Sequence, residues 1–369
     1  MIYLDYQATT PMAPEVITAV TDAMARYGNP HSAHRMGRQA AAEVALARDR
    51  VQAALGLEGG RIVFTSGATE ALNMAIIGMA RAAPEGRRRI VTVATEHAAV
   101  IDTVAACAQL GMEPVFLPVG GDGLIDPHIA DVAIDERTAL VAVMQVNNEI
   151  GVLQPVDAIA EIAAANGAPL LCDAVQGFGR IPLNIQPDMV AISAHKIHGP
   201  KGIGALWLRD GLDLPPLLLG GGQEQGLRSG TLSPLLCTGF GVAAELAART
   251  CDADRAHVEA LWAEAVRLFD GWTINGSPTH RYHGNLNIRR AGIDAARLLS
   301  DCRLVAMSLG SACASGSGRT SHVLRAIGLS EPEARSSIRL GFGRYTAMSD
   351  IQEAAALILA AAAEQEQIA

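Results

Sequence analysis

Short apolar runs alternate with helical segments along the chain, and this alternation constrains the fold more than any other feature of the sequence. In chain order the runs are RIVFTS, RIVTVAT, ALVAVMQV, APLLCDA, DMVAISA and GALWL. Continuous apolar character, without alternation, is typical of strands buried on both faces in a parallel sheet covered by helices. The sequence therefore predicts an α/β fold with a mainly parallel sheet.

The second part of the chain differs in pattern and indicates a smaller unit. A chain of 369 residues exceeds what one core usually serves, so two domains are expected. A long helical pattern covers about residues 231–270, and beyond NGSP at 275–278 shorter strands and helices mix. We predict a large domain over residues 12–250 and a small α+β domain over residues 1–11 and 251–369.

Composition and charge argue against several classes of function. The net charge is −9 and the only basic run is RRR at 87–89, so no nucleic-acid surface is expected. No apolar run has membrane-spanning length. The N-terminal segment MIYLDYQATTP lacks the pattern of a secretory signal or transit peptide, which predicts a cytoplasmic, reducing location. The six cysteines form no C-x-x-C pair, so we expect free thiols and no metal site.

Polar side chains follow three of the predicted strands at the point where each strand ends. They are Asn147, Asn148 and Glu149 after ALVAVMQV, Asp173 and Gln176 in APLLCDAVQ, and Ser193, His195 and Lys196 in DMVAISAHK. Each would be costly at a buried position without a partner. Because parallel α/β sheets bind ligands outside the carboxyl ends of their strands, we expect these residues to share a ligand.

The segment FTSGATEALN adds an anion-binding element. A strand breaks at Ser66 and Gly67, and a helix begins near Thr69. The free N–H groups and the dipole at such a helix start attract an anion, and a phosphate fits there. The spacing is not that of a nucleotide P-loop.

An anion cradle, a strand-end carboxylate and a strand-end lysine together favour pyridoxal phosphate. Lysine holds this cofactor as a Schiff base, and a carboxylate keeps its pyridine nitrogen protonated. The alternative for Lys196 is an ammonium group that ends a strand and points to water. Taken singly, Asp173, His97 and His195 also suit ordinary hydrogen-bonded residues at strand ends. Their joint occurrence favours the cofactor site.

The order and spacing of short motifs resemble those of cysteine desulfurases of the NifS/IscS group, within the class V aminotransferase-like, fold-type I enzymes. The motifs include YLDYQATTP, GNPHSAHRMG, FTSGATEALN, TEHAAV, VNNEIGVLQP, CDAVQGFG, SAHKIHGPKGIGAL, LRSGT, GSACASGSGRTSHVLRAIGL and SSIRLGFGRYT. This resemblance implies a mainly parallel, seven-stranded sheet in the large domain. It also implies a homodimer with pyridoxal 5'-phosphate as cofactor.

The resemblance further implies roles for individual residues. Lys196, Cys313 and His97 would be catalytic, as Schiff-base lysine, nucleophile and a ring-stacking histidine that moves protons. The residues implied to hold the cofactor are Ala68, Thr69, His97, Asp173, Gln176, Ser193, His195, Lys196 and, from a neighbouring subunit, Thr231. Asn148 and Arg339 would hold the substrate carboxylate, a role that suits the fork of a guanidinium group.

The implied reaction converts L-cysteine to L-alanine and leaves the sulfur on Cys313 as a persulfide, for a sulfur-acceptor protein such as an iron–sulfur scaffold. Small and polar neighbours in GSACASGSGRTS indicate an accessible thiol. The alternatives are a selenocysteine lyase or another class V enzyme on this scaffold, with Cys313 idle, and a non-catalytic binding subunit. The joint presence of Lys196, Asp173, His97 and Cys313 argues against the last alternative.

Overall fold

The computed structural model describes residues 1–309 and 320–368, and this part of the chain contains thirteen strands and eleven helices. The strands are β1 (Ile2–Tyr3), β2 (Arg61–Thr65), β3 (Arg89–Val93), β4 (Glu113–Leu117), β5 (Thr138–Met144), β6 (Leu170–Asp173), β7 (Met189–Ser193), β8 (Gly204–Leu208), β9 (Thr273–Ile274), β10 (Asn285–Arg289), β11 (Val305–Ala306), β12 (Ser308–Leu309) and β13 (Ser337–Gly341). The helices are α1 (Pro14–Met24), α2 (Arg35–Leu55), α3 (Ala68–Ala82), α4 (Ala98–Ala106), α5 (Pro127–Ala133), α6 (Val156–Ala165), α7 (Pro234–Leu268), α8 (Ala295–Asp301), α9 (His322–Ala326), α10 (Glu331–Arg335) and α11 (Met348–Ile368).

Seven strands form the central sheet, in the order β2-β8-β7-β6-β5-β3-β4. The pairs from β7 to β4 are parallel, and β8 is antiparallel to both of its neighbours. Alternate residues face two separate apolar cores: Ile62 and Phe64 pack with α1, α2, α5, α6 and the first half of α7, whereas Val63 packs with α3 and α4. The predicted α/β fold with a mainly parallel, seven-stranded sheet is confirmed.

Strand β4 is the one member of this sheet that the apolar runs did not identify. It is an edge strand, and both Glu113 and Phe116 are exposed. An edge strand lacks a neighbour on one side, so its residues need not be apolar throughout. Strand β2, at the opposite edge, is buried over four of its five residues and was found, so the exposed residues of β4 explain why a search for continuous apolar runs misses it.

A second group of strands lies around a separate core. It consists of an antiparallel sheet, β12-β13-β10-β9, and the parallel pair β1-β11. Its apolar side chains pack with α8, α11 and the second half of α7, including Leu261 and Ala265. The boundary at residues 250 and 251 falls within α7, whose two halves serve different cores. The domain division stays a prediction.

The candidate site is positioned by three segments that follow strands of the central sheet, all at the side where the parallel strands have their carboxyl ends. Strand β6 ends at Asp173, β7 is followed by a 3₁₀ turn at Ala194–Lys196, and β2 leads through Gly67 into α3. Gly204 allows the start of β8 to lie against that last turn, because a Cβ there would be 2.7 Å from the Gly67 carbonyl carbon. Within residues 1–309 and 320–368, none of the helices combines the length and apolarity needed to cross a membrane.

Candidate functional site

A cavity of about 890 Å³ lies at the carboxyl ends of the parallel strands. Ten of the residues singled out from the sequence line it: Ala68, Thr69, His97, Asn148, Asp173, Gln176, Ser193, His195, Lys196 and Arg339. Thr231 is exposed on the single chain and does not line this cavity. Cys313 lies outside the described residues. The structure thus brings most of the set together, while the role of each residue stays a prediction.

Lys196 lies at the cavity wall with its amine held by backbone carbonyls. Its Nζ donates to the carbonyl oxygens of Gln7 at 2.5 Å and of Ala8 at 2.9 Å. Burial, followed by the nearby guanidinium groups of Arg180 and Arg339, lowers the pKa of Lys196 to about 7. A substantial fraction of this amine is therefore neutral near neutral pH, which is the form that attacks an aldehyde or removes a proton.

Asp173 presents a buried carboxyl group to the same cavity from the end of β6. Its Oδ1 accepts the Val175 N–H at 2.9 Å, and burial raises the pKa of Asp173 to about 6. Glu96 lies completely buried nearby, and burial, followed by the charge of Asp173, raises its pKa well above the ordinary value. Burial therefore favours the neutral form of Glu96. A cationic N–H group beside Asp173 would favour its ionised form.

The start of α3 forms the anion-binding end of the cavity. Ala68 and Thr69 are its first two residues, so their N–H groups have no partner within the helix. The turn before them is fixed by Thr65, whose hydroxyl donates to the Gly67 carbonyl at 2.9 Å, and by the Ser66 N–H, which donates to Glu70 at 2.7 Å. Ser193 and His195 line the same cavity. This group can hold a phosphate by hydrogen bonds and the helix dipole.

Two histidines in the cavity are neutral at pH 7. Burial, followed by the charge of Lys196, lowers the pKa of His97, and the same two causes lower the pKa of His195 to about 4. His97 caps α4, where its Nδ1 accepts the Ala99 N–H at 3.1 Å. The proton of the neutral His97 ring is therefore on Nε2. This tautomer can donate a hydrogen bond from Nε2.

Arg339 lies at a second polar region of the larger cavity, apart from the start of α3. The side chain is only 1% exposed, and it donates to Asp5 Oδ1 at 2.8 Å and to the Asn148 carbonyl at 2.9 Å. Arg339 Nε and Asn148 Oδ1 are buried, and neither has a hydrogen-bond partner among the described residues. An unsatisfied buried polar atom costs about 1–3 kcal/mol. The open Arg339 Nε–H therefore favours an acceptor such as an amino-acid carboxylate, and the open Asn148 oxygen favours a hydrogen-bond donor of the same ligand.

Other cavity residues were not assigned a role from the sequence. Among them are Gln7, Ser321, His322 and Arg325, and also Glu149, which the sequence placed with the strand-end residues expected to share a ligand but without a specific role. Ser321 Oγ donates to Glu149 Oε2, and burial raises the pKa of Glu149 to about 7. Glu149 had a usable sequence signal, its place directly after a strand. Gln7 had none, because its backbone carbonyl makes the contacts with the site: it accepts from Lys196 Nζ at 2.5 Å and from the Gln176 amide at 3.0 Å.

The donor set fits pyridoxal phosphate. A largely neutral lysine amine, a buried aspartate on the adjacent strand and an open helix start all border one cavity. A parallel α/β sheet with these three groups at the ends of its strands defines the fold-type I class of pyridoxal phosphate enzymes. Within that class, the Aminotransferase class-V family model matches residues 2–354. The chain belongs to this family, whose members depend on pyridoxal phosphate.

Individual relatives are similar over nearly the whole chain. "Cysteine desulfurase IscS" of Rickettsia bellii is 41% identical over 368 residues, covering 97% of this chain and 90% of the relative. A solved "NifS-like protein" superposes with a TM-score of 0.91 at 31% identity, covering 97% of this chain and 98% of the other. The structure titled "SspA in complex with cysteine" has a TM-score of 0.83 and 34% identity, covering 94% and 100% of the two chains.

Proposed function

We propose that this chain is a cysteine desulfurase, which converts L-cysteine to L-alanine and transfers the sulfur to a cysteine of its own. The observation that carries the proposal is the single cavity in which Lys196, Asp173 and the start of α3 lie with the open hydrogen-bonding atoms of Arg339 and Asn148. The names of the Rickettsia relatives and the cysteine complex of SspA support the same substrate.

We infer that pyridoxal phosphate binds in this cavity. When bound, it withdraws electrons from the α-carbon of an amino acid. The start of α3, Ser193 and His195 would hold its phosphate, Asp173 would pair with its pyridine nitrogen, and Gln176 would donate to its phenolic oxygen. Lys196 would hold the cofactor through its amine and act as the base for the α-proton of the substrate, a role that its pKa of about 7 supports.

The substrate is oriented by Arg339 and by the side-chain N–H group of Asn148, which donate hydrogen bonds to its carboxylate. His97 stacks on the cofactor and moves protons through Nε2, since its Nδ1 is occupied by the Ala99 N–H. The Cys313 thiolate attacks the substrate sulfur, so that a sulfur–sulfur bond forms as the carbon–sulfur bond breaks. The bonding pair stays with carbon, which takes a proton to give alanine, and the enzyme retains a persulfide.

The persulfide sulfur then passes to an acceptor, for which a protein such as an iron–sulfur scaffold is the proposed partner. We also propose a homodimer in which Thr231 contacts the cofactor phosphate of the neighbouring subunit. The exposure of Thr231 on the single chain supports this arrangement. A cytoplasmic location and the lack of a nucleic-acid partner stay predictions of the sequence.

The test is to mix the holoenzyme with less than one equivalent of L-cysteine per active site, without added reductant, then measure alanine and the mass of the Cys313 peptide. We expect alanine and one added sulfur atom on Cys313 in equal amounts. Cys313→Ser should still bind cysteine but form no persulfide, while Cys251→Ser, a change outside this cavity, should behave as the parent. Alanine formed without sulfur on Cys313 would instead support a lyase in which Cys313 is idle.

A further inference from the structure

A second cavity, of about 200 Å³, also borders Lys196. Its walls come from residues 179–182 and 196–198, residues 251–259 of α7, residues 281–283 and residues 343–344. These segments belong partly to the central sheet layer and partly to the elements around the four-stranded sheet. The proposed desulfurase reaction uses none of the side chains that line this smaller cavity, apart from Lys196.

The smaller cavity has an excess of positive charge. Four arginines line it, Arg180, Arg255, Arg281 and Arg344, against two carboxylates, Asp254 and Glu259. Both carboxylates are engaged: Asp254 pairs with Arg344 at 2.7 Å, and Glu259 accepts from His283 at 2.6 Å. Among the described residues, Arg180 and Arg281 have no carboxylate partner. Such an excess is notable in a chain of net charge −9.

Arg281 is the most deeply buried of these cations, at 4% exposure. Its guanidinium group donates only to backbone carbonyls, of Asn275, Ser277, Ile150 and Asn285, at 2.9 to 3.3 Å. It also lies over Trp262, and its Nε has no hydrogen-bond partner among the described residues. Burial alone lowers the pKa of Arg281 to about 10. A buried cation without a counter-ion is costly, so a nearby anion would stabilise this region.

Arg180 connects the smaller cavity to the larger one. Its Nη1 donates to Gln176 Oε1 at 2.9 Å and its Nη2 to the Lys196 carbonyl at 2.5 Å. The charge of Arg180 contributes to the lowered pKa values of Lys196, His195 and His198. The positive charge of Arg180 therefore makes the protonated forms of several buried bases less favourable.

We propose that this cavity binds a small oxyanion, such as phosphate, sulfate or a carboxylate, against Arg180, Arg255 and Arg281. Cys251 lies at the cavity wall, with its Sγ 3.8 Å from Arg255 Nη2. The site is separate from the proposed cofactor site and goes beyond the desulfurase function. Through the Arg180 contact with Lys196, its occupant would also act on the larger cavity.

The first test places a tethered anion in the cavity. Cys251→Glu puts a carboxylate beside Arg255, and Cys251→Gln is the matched neutral control with a similar helix propensity. The holoenzyme of Cys251→Glu should melt higher than that of Cys251→Gln by on the order of 2 °C or more. Equal or lower melting of the glutamate variant would overturn the proposal.

The second test uses inorganic phosphate at constant ionic strength, with chloride as the balancing salt. Phosphate should raise the melting temperature of the parent and of Cys251→Gln saturably, as expected for a ligand of the folded state. It should have no such effect on Cys251→Glu, whose carboxylate already occupies the site. An equal rise in both variants would place phosphate elsewhere and contradict the proposal.

A third measurement does not depend on how the glutamate variant folds. Cys251 is half-buried, whereas the other cysteines of the described residues, Cys107, Cys172, Cys237 and Cys302, are buried. In a Cys313→Ser background, iodoacetamide should therefore modify Cys251 first. Phosphate should slow this reaction several-fold, and Arg255→Gln should weaken the protection. Identical alkylation rates with phosphate and with chloride would refute anion binding beside Cys251.

Discussion

The two cavities that border Lys196 differ in how their buried charges are balanced. The larger cavity is lined by groups of both signs, such as Lys196 and Asp173, and Arg339 at its wall pairs with Asp5 at 2.8 Å. In the smaller cavity, Arg180 and Arg281 form no ion pair within the described chain, because Asp254 pairs with Arg344 and Glu259 with His283. Both cavities contain buried polar atoms without partners, which indicates ligands in both. The ratio of positive to negative side chains indicates the kind of ligand that each cavity binds. The larger cavity suits a zwitterionic amino acid with its cofactor, and the smaller cavity suits an anion.

The substitution with the largest expected effect on activity should affect the larger cavity and leave anion binding in the smaller cavity intact. Lys196→Ala removes the amine of the larger cavity, and sulfide release from L-cysteine should fall by about 10²–10⁴-fold, the usual contribution of a catalytic base. The yellow colour of the bound cofactor should also be lost. The protection of Cys251 from iodoacetamide by phosphate should remain in a Cys313→Ser background, because this phosphate response depends on the arginine side chains beside Cys251.

Arg267→Ala is the control for this experiment, since Arg267 pairs with Glu264 on α7 and lines neither cavity. It should keep both the activity and the phosphate response. Retained colour in Lys196→Ala would contradict the role of the lysine. Loss of the phosphate response in that variant would show that the two cavities act as one site.

The larger cavity also contains a carboxyl group that titrates near neutrality. Burial raises the pKa of Glu149 from an ordinary 4.5 to about 7. The folded state therefore holds this proton more tightly than the unfolded state, and stability falls as the pH rises from the unfolded pKa through the folded one. The loss amounts to about 3 kcal/mol. Glu149→Gln should remove this loss, so its unfolding free energy in urea should depend less on pH between pH 5 and 8.

Glu264→Gln is the matched control for that titration. The hydrogen bond from Arg267 lowers the pKa of Glu264 to about 2, so this group is already ionised throughout the measured range. Its variant should leave the slope of stability against pH unchanged. A Glu149→Gln protein with the same slope as the parent would show that Glu149 does not titrate near neutrality.

The comparison of cavities also explains what the sequence could predict. Asp173 and Lys196 follow continuous apolar runs, and the rule that ligands bind at the carboxyl ends of parallel strands collects such residues without a structure. Arg339 carried no such positional signal and was assigned through the resemblance, with support from the fit of a guanidinium fork to a carboxylate. The arginines of the smaller cavity come from four separate segments with no shared pattern. Only tertiary packing brings them together, so no local sequence rule could have found that site.

The next largest effect tests whether the open donor of Arg339 serves the substrate. Arg339→Lys keeps the charge but loses the planar fork, and a hydrogen bond between charged groups contributes about 1.5–3 kcal/mol. The KM for L-cysteine should therefore rise by about 10–100-fold, and melting temperatures should be compared because Arg339 also pairs with Asp5. Arg255→Gln, in the smaller cavity, should leave this KM unchanged. An unchanged KM in Arg339→Lys would place the substrate carboxylate elsewhere.

The smallest effect concerns the link between the cavities. Arg180 lowers the pKa of Lys196 after burial itself, so Arg180→Met should move that pKa from about 7 to a higher value, by less than about one unit. The rate at which apoenzyme becomes coloured with added pyridoxal phosphate should then reach its midpoint at a higher pH. Arg255→Gln, which has no contact with Lys196, should keep the parent midpoint, and an unchanged midpoint in Arg180→Met would contradict an effect of Arg180 on Lys196.

If an anion in the smaller cavity neutralises Arg180, then sulfate added to the parent should shift the midpoint in the same direction as the substitution. The same salt should shift nothing in Cys251→Glu.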